Sequence, residues 1–386
     1  MSYSIPFNRP CLVGSEYQYI AEAIANGHAS GDGPFTKKCR QLLERELGVL
    51  RALLTPSCTH ALEMAALLLD CGPGDEVIVP SFTFVSTANA FALRGSKIVF
   101  CDIRPDTLNL DEQLLESLIT PRTKAIVPVH YAGVPCAMES IMEIAARNGV
   151  EVVEDNAHAL FARFRNRYTG TFGCLAAQSF HETKNFTCGE GGALIINDPR
   201  LVERANVIRD KGTNRSMFFR GMVDKYTWTD IGSSFLLSDL LAAFLYAQIE
   251  ARELIQEKRK RVWDHYYEEL RDWAKDVGAR LPVVPLDCEQ AYHMFYIVMP
   301  SSDHRDAFIS HLKASGILSV FHYVPLHSSP AGKKFSARWV PCPIAEQASS
   351  RLVRLPFYND LSFEEQRRVL AAVTSYRQRQ QMIVGL

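Results

Sequence analysis

Short β-rich runs alternate with amphipathic stretches through the first two-thirds of this chain, and that alternation limits its fold more than any other feature. Val77-Ile78-Val79, Lys97-Ile98-Val99-Phe100, Ala125-Ile126-Val127 and the run 150–153 read as strands. Between them, 61–69, 86–93, 111–119 and 138–147 carry helical periodicity, with Asp111 placed as an N-cap and Gly72-Pro73-Gly74-Asp75 as a turn. Strand and helix in turn, at these lengths, predict βαβ units, an α/β fold and a mostly parallel sheet. Ligands of such sheets bind beyond the carboxyl ends of the strands.

Farther along the pattern changes. An amphipathic stretch rich in Glu, Arg, Lys and Leu runs from Ser238 to about Lys275 and predicts a helix pair or a kinked long helix between two domains. After Leu281-Pro282, strands are expected at 295–299 and 318–321 and helices at 303–315 and 362–377, which makes a smaller α+β domain. The division is placed at 1–250 and 251–386, with the N-terminal segment packing on the small domain or on a partner. At 386 residues the length suits two domains.

Lys and Arg total 42 against 43 Asp and Glu, a net charge of −1, which argues against a nucleic-acid-binding surface. No run of about 18 apolar residues predicts a membrane span, and Met1 to Phe7 do not read as an export signal. None of the ten cysteines forms a C-x-x-C pair or a zinc-ligand spacing with histidine, so no metal site is expected. Scattered thiols without an export signal point to reduced cysteines and a cytoplasmic location.

Four segments carry the chemistry. Val152-Val153-Glu154-Asp155 ends an apolar strand in two acids, and Gln178-Ser179 ends another before Lys184 and the run Gly189-Glu190-Gly191-Gly192. A lysine among apolar neighbours can have a lowered pKa and form an imine, whereas a lysine such as Lys184 taken alone is more often a solvated surface residue. Ser57-Cys58-Thr59 opens the helix from Ala61, a setting for a phosphate or for a plain N-cap. Phe82 and Phe84 stand just past a strand, where a flat ring can stack. Together these parts fit pyridoxal 5'-phosphate: a Schiff-base lysine, a carboxylate that keeps the ring nitrogen protonated, a phosphate cradle and a stacking face.

On these motifs the chain resembles the sugar-nucleotide aminotransferases of pyridoxal-phosphate fold type I, the DegT/DnrJ/EryC1/StrS group, across nearly its whole length. The resemblance implies a mostly parallel seven-stranded sheet, a homodimer with sites at the interface, and specific roles. Lys184 matches the imine-forming lysine and Asp155 the partner of the ring nitrogen. His158, closing Glu154-Asp155-Asn156-Ala157-His158, is implied to lie near the ring hydroxyl. Ser57, Cys58, Thr59 and Ser179 match phosphate-binding positions, and Phe84 the stacking aromatic.

A finer similarity lies in Lys211-Gly212-Thr213-Asn214-Arg215-Ser216, Asp224-Lys225-Tyr226-Thr227-Trp228 and Asp230-Ile231-Gly232-Ser233-Ser234. It is to transaminases that form dTDP-4-amino-4,6-dideoxygalactose from dTDP-4-keto-6-deoxyglucose and glutamate. Where wider relatives carry G-x-N-x-R, this chain has Ser234 and Leu236. Ser234 is implied to reach the phosphate of the neighbouring subunit; Leu236 cannot take over the arginine's role. His322, Tyr323, His327 and Arg215 are expected at the substrate. C3 amination of the nucleotide sugar, keto-sugar dehydration and a non-catalytic regulator on the same fold are the alternatives. A nicotinamide dehydrogenase is disfavoured by the lack of G-x-G-x-x-G after the first strands.

Overall fold

The computed structural model describes residues 3–384. Its strands are β1 (Arg51–Thr55), β2 (Glu76–Pro80), β3 (Lys97–Cys101), β4 (Thr123–Ile126), β5 (Glu151–Asp155), β6 (Arg163–Phe164), β7 (Arg167–Tyr168), β8 (Leu175–Ser179), β9 (Gly192–Ile196), β10 (Cys288–Glu289), β11 (Tyr296–Val298) and β12 (Leu352–Arg354). Seven of them form one sheet in the order β1-β9-β8-β5-β4-β2-β3. All its pairs are parallel except those of β9, which runs against β1 and β8. β8 and β9 pair from Leu175↔Ile196 to Ser179↔Gly192, so the lysine-bearing segment closes the end of an antiparallel pair.

The strands are apolar on both faces because both faces are covered. Leu53, Val77, Val79, Phe100, Val153 and Ala177 pack into one core with the helix Cys58–Leu68. The alternate residues face two other cores: Leu54, Ala176 and Ile195 with the helices Pro34–Leu47 and Asp239–Glu250, and Ile78, Val99 and Val152 with Met138–Asn148.

A separate core gathers Val262, Trp263 and Tyr266 from the helix Arg252–Val277, Phe295 and Ile297, Phe308 from Ser302–Ala314, and Val353. Ile5 is fully buried in it and bridges to Ile317, which ties the N-terminal segment to this second core. No described helix is long and apolar enough to cross a membrane.

Two expectations are modified. The run 111–119 forms a 3-10 turn, Glu112–Leu114, and one helical turn, Leu115–Leu118, rather than a full helix. Residues 318–321 contribute a single bridge, Val320 to Arg354, because the chain then turns through Tyr323 at φ 26°, outside any strand geometry. β11 pairs with β12, and the hairpin β6–β7 escaped the sequence pattern because two-residue strands show no periodicity.

Candidate active site

The carboxyl ends of β1, β2, β5 and β8 open onto a cavity of about 910 Å³ whose far wall comes from later in the chain, including Met294, Tyr323 and Arg354. Period-two geometry divides the two acids at the end of β5. Glu154 points into the packing beneath, where it accepts from the backbone N–H groups of Gly170 (2.7 Å), Phe172 (2.7 Å) and Gly173 (2.8 Å) and lies 3.0 Å from His130 Nε2. Asp155 lines the cavity. Its Oδ2 accepts from the Thr87 hydroxyl at 2.7 Å and its Oδ1 from the Ala157 N–H at 3.2 Å. Burial raises the Asp155 pKa, and the Thr87 and Ala157 bonds oppose that rise.

Lys184 sits in the turn after β8, where its N–H donates to the His181 carbonyl at 2.9 Å. Burial lowers its pKa to about 8, with a further push from the charge on Arg354 and opposition from Cys58 and Asp155. Gly192, at the return of the same loop, is closely packed: a Cβ there would stand 2.3 Å from the Ser57 carbonyl carbon and 2.5 Å from the Cys58 nitrogen. The lysine loop and the start of the helix Cys58–Leu68 are thereby in backbone contact.

At that start Ser57 is the N-cap, accepting from the His60 N–H at 3.2 Å, and the hydroxyls of Thr59 and Ser86 meet at 2.7 Å. Ser57, Cys58, Thr59 and Ser179 all line the cavity. The free N–H groups of this helix start and the hydroxyls around it suit a phosphate.

An aromatic wall faces them. His158 stacks on His293 with centroids 4.3 Å apart, and His322 stacks on Tyr323 at 3.6 Å. Burial drives the pKa of His158, His293 and His322 well below the ordinary imidazole value, which favours the neutral form of each. His158 Nε2 lies 3.4 Å from the Tyr323 hydroxyl, while its buried Nδ1 has no partner among the described residues. Phe84 is 57% exposed at the cavity edge, its ring 6.4 Å from that of Tyr323.

Not every expected residue is at the cavity. His327 is buried between Ser81 Oγ (2.7 Å) and Glu346 Oε1 (3.2 Å) and does not line it. Arg215 lies 3.9 Å from Asp210 with its guanidinium 5.1 Å from the Phe219 ring centre, and Ser234 is exposed beside Asp210; neither lines the cavity. Conversely, sequence reasoning missed Thr87, His293 and Arg354. Thr87 had no signal beyond its place in a helix. Arg354 had one: a lone charge inside the apolar run Leu352-Val353-Arg354-Leu355.

These residues fit pyridoxal 5'-phosphate on the structure's own terms. A half-buried amine of lowered pKa, a buried carboxylate with no salt-bridged cation and an imidazole nitrogen with no partner among the described residues meet a helix start in one cavity. Solved structures that share the fold include the following three. The aminotransferase TlmJ from Streptoalloteichus hindustanus is 31% identical, with 98% of this chain and 100% of that chain covered and a TM-score of 0.89. DesV from S. venezuelae, solved in complex with a ketimine intermediate, is 32% identical over 97% of this chain and 99% of that one, with a TM-score of 0.88. The putative sugar aminotransferase Spr1654 from Streptococcus pneumoniae, in its PLP form, is 24% identical over 98% and 99% with a TM-score of 0.89, a likeness of fold.

Fold and site together define a pyridoxal-phosphate-dependent aminotransferase of fold type I. The model of the DegT/DnrJ/EryC1/StrS aminotransferase family matches residues 10–374, and the chain belongs to that family.

Proposed function

We propose that this enzyme moves the amino group of glutamate to the C4 keto group of dTDP-4-keto-6-deoxyglucose, forming dTDP-4-amino-4,6-dideoxygalactose. The observation that carries this reading is the segment 211–236, with Ser234 and Leu236 in place of Asn and Arg. That segment folds back on itself through the bridges Asp210–Ser234 and Thr213–Trp228.

When bound, pyridoxal 5'-phosphate supplies an electron sink for the charge left when a proton leaves the carbon bearing nitrogen. Lys184 takes that proton from the donor carbon and returns one at the acceptor carbon, a double duty suited to an amine with a pKa of about 8. Asp155 balances positive charge at the ring nitrogen, held in line by Thr87. His158 offers its unpartnered Nδ1 side to the ring hydroxyl. Ser57, Cys58, Thr59 and Ser179 hold the phosphate, Phe84 stacks at the cavity edge, and His322 and Tyr323 wall the sugar side.

The proposal includes a homodimer. Phe219 is 69% and Trp228 79% exposed, alongside exposed Met222 and Tyr226 on the same segment. An apolar group of this kind favours burial against a second copy. Ser234 and Arg215, which do not line their own cavity, would serve the partner's site. A cytoplasmic setting accords with ten free cysteines.

Incubation with glutamate and dTDP-4-keto-6-deoxyglucose, followed by NMR of the product, tests the substrate. A C4 amine of galacto configuration is expected. An amine at C3, or inertness toward this sugar beside turnover of another nucleotide sugar, rejects it.

A further inference from the structure

The ring of His158 is tethered by one long contact. Among the described residues its side chain meets only the Tyr323 hydroxyl in a hydrogen bond, 3.4 Å from Nε2, which is long for such a bond. The last torsion of an imidazole is soft and roughly two-fold, so a ring tethered this loosely can turn and put carbon where Nδ1 should be. Its role requires one orientation. For Nδ1 to donate to the oxygen of the cofactor's ring hydroxyl, Nε2 must remain the acceptor beside Tyr323.

That plane is set by a second histidine. His293 stacks on His158 with centroids 4.3 Å apart and planes 19° from parallel, and both residues are more than nine-tenths buried. His293 is itself fixed on two sides. Asn185 Nδ2 donates to the Ala291 carbonyl at 2.6 Å and to Gln256 Oε1 at 3.3 Å. A carbonyl only accepts, so the amide orientation is forced and Asn185 Oδ1 faces His293. His293 therefore carries its proton on Nδ1 and donates across 2.9 Å. On the backbone side, buried Arg259 donates to the carbonyls of Tyr292 at 2.8 Å and His293 at 2.5 Å. It thereby holds Tyr292 at φ 51°, a left-handed conformation that bulky residues rarely adopt. Asn185 follows Lys184 directly, so one amide ties the stack to the lysine loop. The charges of Lys184 and Arg354 reach His158, and those of Lys184 and Arg259 reach His293, so a proton added to either ring is opposed.

We propose that His293 is the positioning residue for His158: it fixes the plane of that imidazole and, through Asn185, keeps it in register with the lysine loop. The inference rests on His158 meeting the ring hydroxyl and names the residue that gives this meeting one geometry. His293 acts through His158 rather than on the substrate.

The test is spectroscopic and needs no turnover. A donor at the ring oxygen stabilises its anionic form, and so favours loss of the proton shared between that oxygen and the Lys184 nitrogen. Losing the donor raises the pH at which the visible absorbance of the bound cofactor titrates. In holoenzyme, His158→Phe and His293→Ala should each raise this midpoint by about one pH unit, a tenfold change. The variant carrying both should match His158→Phe alone to within about 0.3 unit, because the second change then has nothing to act through. A structural role alone would lower the denaturation midpoint of His293→Ala and leave the titration in place. If His293→Ala fails to fold, His293→Phe carries the same comparison. It keeps a stacking ring but loses Asn185, and a rise of about half a unit, roughly threefold, is expected. A His293 variant that titrates like the parent, or whose shift adds in full to that of His158→Phe, overturns the assignment. An unshifted His158→Phe rejects the placement of His158 at the ring hydroxyl and the positioning role with it. A shifted His158→Phe beside an unshifted His293→Ala rejects the positioning role alone.

Discussion

The hydroxyl of Thr87 donates to Asp155 Oδ2 across 2.7 Å, and the Thr83 hydroxyl lies 2.9 Å behind it. A chain of hydroxyls from the loop after β2 thus orients a carboxylate on β5. Burial alone would favour the protonated acid; the Thr87 bond favours the anion needed opposite a pyridinium. Thr87→Val keeps the shape and removes the donor, so kcat should fall by about ten- to a hundredfold, the equivalent of one hydrogen bond to a charged group. Steady-state kinetics alongside cofactor content checks this. Asp155→Asn removes the charge itself, and a loss of about 4 kcal/mol corresponds to roughly a thousandfold slower proton abstraction. Near-normal turnover in Asp155→Asn would mean that the carboxylate does not face the ring nitrogen.

Lys184 makes stability depend on pH with a definite sign. Its folded pKa of about 8 lies below the ordinary lysine value of 10.5. The unfolded state therefore holds more protons between those values, and folding stability of the cofactor-free protein rises with pH across that window. Below pH 8 the lysine is charged in both states, and its full burial penalty, on the order of 3 kcal/mol, applies. Lys184→Met should abolish transamination and flatten this part of the stability profile. Urea denaturation of both cofactor-free proteins at pH 7 and pH 9.5 is the measurement; parallel profiles would show that the amine is not buried as described.

Glu154 is the structural member of the acid pair. Replacing it with Gln leaves one acceptor oxygen where two now serve three backbone N–H groups and His130. A loss of about 2–3 kcal/mol is expected from unsatisfied buried donors. The denaturation midpoint should drop, with residual activity per folded molecule far above that of Asp155→Asn. Equal activity losses in the two variants would contradict the division of labour between them.

Complementation tests the proposed subunit exchange. Lys184→Ala and Ser234→Trp chains, each inactive alone, should regain activity when mixed, because one site of the heterodimer holds both intact residues. A purified heterodimer without activity would place Ser234 outside the partner's site.

The sequence made part of this arrangement legible. Asp155 and Lys184 stood out because each follows an apolar strand and because glycines crowd the lysine loop, both local signals. Thr87 reaches Asp155 over a separation of 68 residues, and nothing near either residue announces the contact. His293 reaches His158 from the small domain and is anchored to Asn185 at 2.9 Å, a pairing that no single segment encodes. The strand expected at 318–321 had the right residues, but with Tyr323 at φ 26° only Val320 could pair. His327 lies in a segment that does line the cavity, yet Ser81 and Glu346 take up both its ring nitrogens.

The reversal of β9 has a kinetic meaning as well. Because β8 and β9 pair within one short stretch of chain, the loop carrying Lys184 can close while most of the protein is still unformed. The phosphate-side loop after β1 must wait, since β1 joins β9 only across a separation of more than a hundred residues. The nucleophile's loop is thus an early product of folding and its anion cradle a late one, so cofactor capture reports completion of the sheet.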